Sequence, residues 1–155
     1  MSKMPKRVSE FLSNRNIAVA GVSRDPRQAA NLVYRKLRSS GYRVFAINPS
    51  TTQVEGDVCY ADLRSIPETV AAVVIATHPN TTVEIVRECA ELGIGQVWLH
   101  RSFGQGSVSD DAVRECESRG INCLIGGCPM MYCEPVDLGH RCMRWILKLQ
   151  DRIPL

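Results

Sequence analysis

The chain has 155 residues, 45% of them hydrophobic and 23% charged, with a net charge of +3. That length suits one domain with a real core, and basic residues this scattered suggest no nucleic-acid surface. No stretch is apolar for long enough to span a membrane and the opening MSKMPKRVSEFLS lacks the apolar core of a signal peptide, so the expectation is a cytoplasmic protein with no membrane partner.

In chain order, Val8, Phe11 and Leu12 read as a short amphipathic helix beside a sheet, with Lys3, Lys6 and Arg7 as its solvated basic start. Ile17 to Val22 is an apolar run of the kind a parallel strand buried on both faces requires. Gly21 ends it where the backbone must turn sharply. Asp25-Pro26 reads as N-cap and first helical residue, followed by Ala29, Ala30, Val33 and Leu37 at helical spacing and by Gly41 as the stop. Tyr42 to Ile47 is a second strand, closed by Asn48-Pro49. Residues 50–69 are irregular, with a turn at Glu55-Gly56-Asp57 and room for a short edge piece around Val54 or Val58.

Ala71 to Ala76 is the third strand and the most continuously apolar run. Thr77-His78-Pro79-Asn80 is a loop, with Asn80 the expected N-cap of a helix over 81–92 that stops at Gly93. Gln96 to Leu99 is the fourth strand, 101–109 a Gly/Ser loop, and 110–119 a helix stopped by Gly120. Ile121 to Ile125 is the fifth strand, running into Gly126-Gly127-Cys128-Pro129. A last helix fits Leu138 to Gln150, with Leu138, Cys142, Ile146 and Leu149 on one face.

Strands alternating with helices of this length force right-handed crossovers. The expected fold is α/β: a Rossmann-like three-layer domain whose five parallel strands run in the order 3-2-1-4-5, with helices on both faces and no second domain. In such a sheet ligands sit beyond the carboxyl ends of the strands, where strand order reverses, here between the first and fourth. The site candidates are therefore on the loops Gly21–Asp25, Asn48–Ser50, Thr77–Asn80, His100–Ser107 and Gly126–Cys128. A helix N-terminus beside the small-residue turn at Gly21 offers free N–H groups to an anion.

Seven cysteines without a C-x-x-C pair read as reduced thiols, most of them small core hydrophobes. Cys123, Cys128 and Cys133 fit no common zinc spacing. No nucleophile elbow, Ser-His-Asp order, paired-carboxylate motif or Walker loop is present. His78 and His100 at strand ends are better read as structural groups or hydrogen-bond donors than as catalysts.

The runs AVAGVSRDP, YRVFAINPS, IPETVAAVVIAT, VWLH and GGCPM carry a resemblance that covers most of the chain, from about Asn16 to Cys133. The chain resembles the small stand-alone CoA-binding proteins, which are similar to the CoA-binding domain of the succinyl-CoA synthetase α subunit. The most specific pieces are Gly21, Ser23 and Pro26 in the turn, Asn48-Pro49 after the second strand, and Cys128-Pro129 after the last. The resemblance implies that Gly21, Val22, Ser23 and Arg24 hold the phosphates of CoA or acyl-CoA, and that Asn48-Pro49 and Thr77-His78-Pro79 line the nucleotide end. After VWL many relatives have Gln-Pro-Gly, whereas this chain has a longer, more basic loop from His100 to Ser107. The synthetase keeps its phosphorylated histidine in a second domain, so the expectation for this chain is binding without catalysis.

The residues bear on the ligand independently. A dinucleotide turn wants G-x-G-x-x-G and an acid closing the second strand for the ribose diol. Here the turn is A-G-V-S-R-D, and the acid's place is taken by Asn48. A ribose 3′-phosphate would be repelled by an acid there and served by Arg24 or Arg27; the same logic leaves NADP open. The rivals are an NAD(P)-dependent reductase and an interaction subunit with a vestigial nucleotide site. Cys128 on the ligand edge either meets the CoA thiol or is buried packing.

Overall fold

The computed structural model describes residues 4–154; Lys3, expected on the basic start, lies outside them. The elements run α1 (Lys6–Leu12), β1 (Asn16–Ala20), α2 (Ala29–Ser39), β2 (Arg43–Ile47), β3 (Gln53–Val54), β4 (Asp57–Tyr60), β5 (Ala72–Ile75), α3 (Pro79–Glu91), β6 (Gln96–Leu99), α4 (Asp110–Arg119), β7 (Asn122–Ile125), a 3₁₀ turn (Pro129–Met131) and α5 (Leu138–Leu149). The five expected strands are all present, as β1, β2, β5, β6 and β7.

The sheet has seven strands in the order β3-β4-β2-β1-β5-β6-β7, not five in the order 3-2-1-4-5. Residues 53–60 form an antiparallel hairpin, and β4 takes the outer edge of β2 through Ala46↔Cys59 and Ile47↔Tyr60. With that edge occupied, the third long strand, β5, crosses back and pairs with the free side of β1, Ile17↔Ala72 to Ala20↔Ile75. Strand order therefore reverses between β1 and β5, one strand nearer than expected. The ligand edge of the sheet is unchanged; its centre moves to the β1 and β5 ends.

Alternation along each strand builds two cores. Ile17, Val19, Ala46 and Val74 face α1, α2 and the 3₁₀ turn, with Trp98 and Phe11 edge to face at 5.3 Å. Ala18, Ala20, Val73, Ile75 and Leu99 face α3 and α4 through Val86, Cys89, Ala112 and Cys116. Six of the seven cysteines are buried; Cys142 is exposed.

Three local readings need correction. Helix α2 begins at Ala29 with Gln28 as its N-cap, because the Asp25 carboxylate is spent on the Arg27 amide (3.1 Å) and guanidinium (2.9 Å), closing a separate turn over Asp25-Pro26. Helix α3 is capped by His78 rather than Asn80: His78 Nδ1 accepts from the Asn80 amide at 3.3 Å and Pro79 takes the first helical position. Arg7 is no solvated end, since its guanidinium donates to Asn122 Oδ1 (2.6 Å) and the Cys123 carbonyl (2.8 Å) and so pins α1 to β7. The apolar face of α5 points outward, with Leu138 and Leu149 77% and 69% exposed.

Candidate functional site

The first strand ends against the fifth so closely that only glycine fits. Gly21 has φ +102°, and a Cβ there would lie 2.5 Å from the Ala76 carbonyl oxygen. Its amide donates to the Ile47 carbonyl at 3.0 Å, which ties the ends of β1, β2 and β5 together.

Beyond it, the turn is held by a residue that the sequence reading passed over. Asn31, buried on the first turns of α2, accepts from the Ser23 amide (2.9 Å) and donates to the Ser23 carbonyl (2.7 Å) and to Glu55 (2.7 Å). Arg35 also donates to Glu55, at 2.7 Å, so the hairpin is fastened to α2 and the turn together. Tyr34 and Arg38 both donate to Asp57 (2.7 and 2.6 Å), and the phenol's hydrogen bond and then Arg38 hold that carboxyl below its usual range. A single asparagine among Ala30 and Val33 on an otherwise apolar helix face was the available signal for this lock.

The same bonds decide which turn amides remain for a ligand. Gly21 and Ser23 spend theirs within the fold, whereas those of the exposed Arg24 and Ala29 have no partner among the described residues. Two accessible N–H groups, one on the turn and one at the start of a helix, suit a phosphate. Arg24 is exposed and makes no ion pair among the described residues, while Arg27 is held by Asp25. Arg24 is thus the cation at hand.

Asn48 carries out a second lock. Its Nδ2 donates to the Val22 carbonyl at 3.0 Å and its Oδ1 accepts from the Ser50 amide at 2.8 Å. Both ends of the side chain are committed to shaping the two loops.

Gly21, Asn48, Pro49, Thr77 and His78 line one cavity of about 530 Å³ at the carboxyl ends of β1, β2 and β5. Thr77 Oγ1 is buried there with no hydrogen-bond partner. A buried orphan hydroxyl costs roughly 1–3 kcal/mol, so the position favours a ligand that supplies the missing bond. Asp62, Glu84 and Glu88 also line this cavity and were not singled out from the sequence. Ser65 and then Arg64 hold the Asp62 carboxyl low, while Glu84 is paired with Arg87 at 2.8 Å and Glu88 lies 3.9 Å from the Arg64 guanidinium. Ser23 and Arg24 line a separate hollow of about 300 Å³ with Glu55 and Gly56, and Pro79 opens onto a third, of about 500 Å³, between α3 and α4.

The remaining candidates stand elsewhere. Val22 is fully buried beneath the turn. His100 is 7% exposed, and burial, then nearby His140, pushes its pKa down to about 4, so it is neutral at pH 7. Cys128 is 3% exposed, and burial pushes its thiol up to about 12 despite an N–H bond from Met130. Neither lines the 530 Å³ cavity. Among the described residues no three His, Cys, Asp or Glu side chains form a metal group, and no helix is long and apolar enough to cross a membrane.

Comparison with known proteins agrees with this geometry. A family described as "CoA binding domain" matches residues 15–134. The α subunit of acetate–CoA ligase [ADP-forming] II of Pyrococcus furiosus is 30% identical over 97 residues, 61% of this chain but 21% of that protein. Among solved structures, a hypothetical protein of Pyrococcus horikoshii superposes with a TM-score of 0.76 at 25% identity, covering 88% of this chain and 98% of that one. The dinucleotide-forming acetyl-coenzyme A synthetase 1 of Ca. Korarchaeum cryptofilum, in complex with phosphate and ADP, gives 0.62 at 27% identity over 71% of this chain and 25% of that one. The chain thus spans about a fifth of the length of the curated ligase it matches. The match over residues 15–134 shows that the chain belongs to the CoA binding domain family.

Proposed function

We propose that this protein binds CoA or acyl-CoA without catalysis, with the diphosphate on the Gly21–Arg24 turn and the base end in the 530 Å³ cavity. The observation that carries the reading is the convergence of Gly21, Asn48, Pro49, Thr77 and His78, five residues nominated from sequence, on one cavity with an orphan hydroxyl. The two ends of the site differ in charge, which orients the ligand. Free amides and Arg24 at the turn favour phosphates. Asp62 in the cavity disfavours phosphate and suits the amino edge of a purine. His78 accepts through Nδ1, which leaves Nε2–H as a donor at the cavity mouth.

The long, flexible arm of CoA then runs across the ends of β5 and β6, past His100, toward the Gly126–Cys128 turn. With His100 neutral and Cys128 held as a thiol, nothing there activates a thioester. The working compartment is the cytoplasm, in keeping with seven cysteines and no disulfide. Native mass spectrometry of the chain purified without added ligand tests the reading. It should detect a non-covalent adduct with the mass of CoA or an acyl-CoA; an adduct with the mass of NAD or NADP would replace it with the reductase reading.

A further inference from the structure

Helix α5 lies beyond residues 15–134, and none of its residues lines the 530 Å³ cavity. One of its faces is fixed to the body: Leu147 is buried, Met143 packs on the core, and Arg144 donates to the Met131 carbonyl at 3.0 Å while lying over the Tyr132 ring. The other face is a row of Leu138, Cys142, Trp145 and Leu149, all exposed, with Ile146 beside it. Their spacing is four, three and four residues, the seam of a two-helix coiled coil. Exposed apolar residues scattered singly are ordinary; a seam running the whole length of a helix is not.

We propose that α5 is the contact helix of a homodimer, two copies packing their α5 seams antiparallel across a two-fold axis. Reversing the helix maps the seam onto itself, as an isologous contact requires. Leu138 then meets Leu149 of the second copy, and the small Cys142 meets its large Trp145, so large side chains fill the space that small ones leave. Asp137 and Lys148 are eleven residues apart, three helical turns, and therefore share one flank. Antiparallel pairing brings Asp137 of each copy beside Lys148 of the other, whereas parallel pairing keeps them a helix length apart. Arg141 is on the same flank and remains at the wet rim. The seam exposes on the order of 400 Å² per copy, so two copies with their rims reach the roughly 1,000 Å² that a specific interface needs.

Sedimentation velocity of the full chain across a concentration series tests this. The wild type should run at twice the chain mass, and Leu149→Glu at the chain mass with an unchanged circular dichroism spectrum, since Leu149 is exposed and supports no core. Mild oxidation of Trp145→Cys should yield covalent dimers through Cys142 of the other copy, and Cys142→Ser in that background should abolish them. A wild type that stays monomeric throughout overturns the proposal, as does a Leu149→Glu variant that stays dimeric. A monomer that instead co-sediments with anionic phospholipid vesicles assigns the face to lipid and overturns it too. CoA affinity is expected to be the same in every variant, so the outcome leaves the ligand reading untouched.

Discussion

At the residue scale, Gly21 and Arg24 separate fold from function. Gly21→Ala sets a Cβ 2.5 Å from a carbonyl oxygen in a conformation L-residues avoid, so thermal denaturation should show a loss of several kcal/mol or no folded protein. Arg24→Glu touches no ion pair of the fold. It should weaken CoA binding by about 1–3 kcal/mol, the scale of a charge-assisted hydrogen bond, and leave the melting temperature within a degree or so. A variant that unfolds while keeping its affinity would make Arg24 structural. His100 gives a pH signature. Its folded pKa, about 4, is below the unfolded value near 6.5, so the unfolded chain binds the proton first. Its contribution is intact above pH 6.5 and is lost as the pH falls from there toward 4, amounting to on the order of 3 kcal/mol at most. His100→Asn should flatten denaturant-measured stability over that window; an unchanged slope would place His100 in contact with water. Cys128, buried and protonated, should carry no adduct after native incubation with CoA disulfide, and an adduct found there by peptide mapping would contradict its placement.

The elements show what was legible in the sequence. Runs such as IAVAGV and AVVIAT announce buried parallel strands, and Gly41, Gly93 and Gly120 mark helix ends, so the helices and five long strands follow from pattern. The hairpin follows only in part: its turn at Glu55-Gly56-Asp57 and an edge piece near Val54 or Val58 are legible, but β3 has two residues and β4, as long as β5, buries one residue where β5 buries four, so no apolar run marks the pair. Yet that hairpin decides the strand order by taking the β2 edge. The cap positions were missed because Asp25 and Asn80 are good caps by composition, while tertiary bonds to Arg27 and a proline at position 79 moved the real starts. On the site, the loop residues were legible because topology sends them to one edge. Asp62, Glu84 and Glu88 were not, since nothing local marks which carboxylates of α3 and the 61–71 segment line the cavity. Asn31 links these levels. Asn31→Ala frees the Ser23 amide, the Ser23 carbonyl and Glu55 at once, so it should cost about 1–3 kcal/mol of stability and weaken CoA as well. Loss of one without the other, by melting and titration of the same sample, would break the link between hairpin and phosphate turn.

For the whole molecule, the doubly wound sheet places every candidate loop on one edge, and the match over residues 15–134 places the chain in the CoA binding domain family. The part shared with the ligase is about a fifth of that protein, so the shared property proposed here is binding and not the ligase reaction. Incubation with ATP, CoA and acetate should therefore yield no thioester; formation that disappears in His78→Ala or His100→Ala would make the chain an enzyme. The most direct measurement is isothermal titration of one protein preparation with CoA and, separately, with NAD. CoA should bind at least tenfold more tightly, about 1.4 kcal/mol, because Asn48 at the end of β2 offers no carboxylate to a ribose diol while Arg24 and the free amides favour phosphates. NAD binding as tight as CoA, or tighter, would contradict the account.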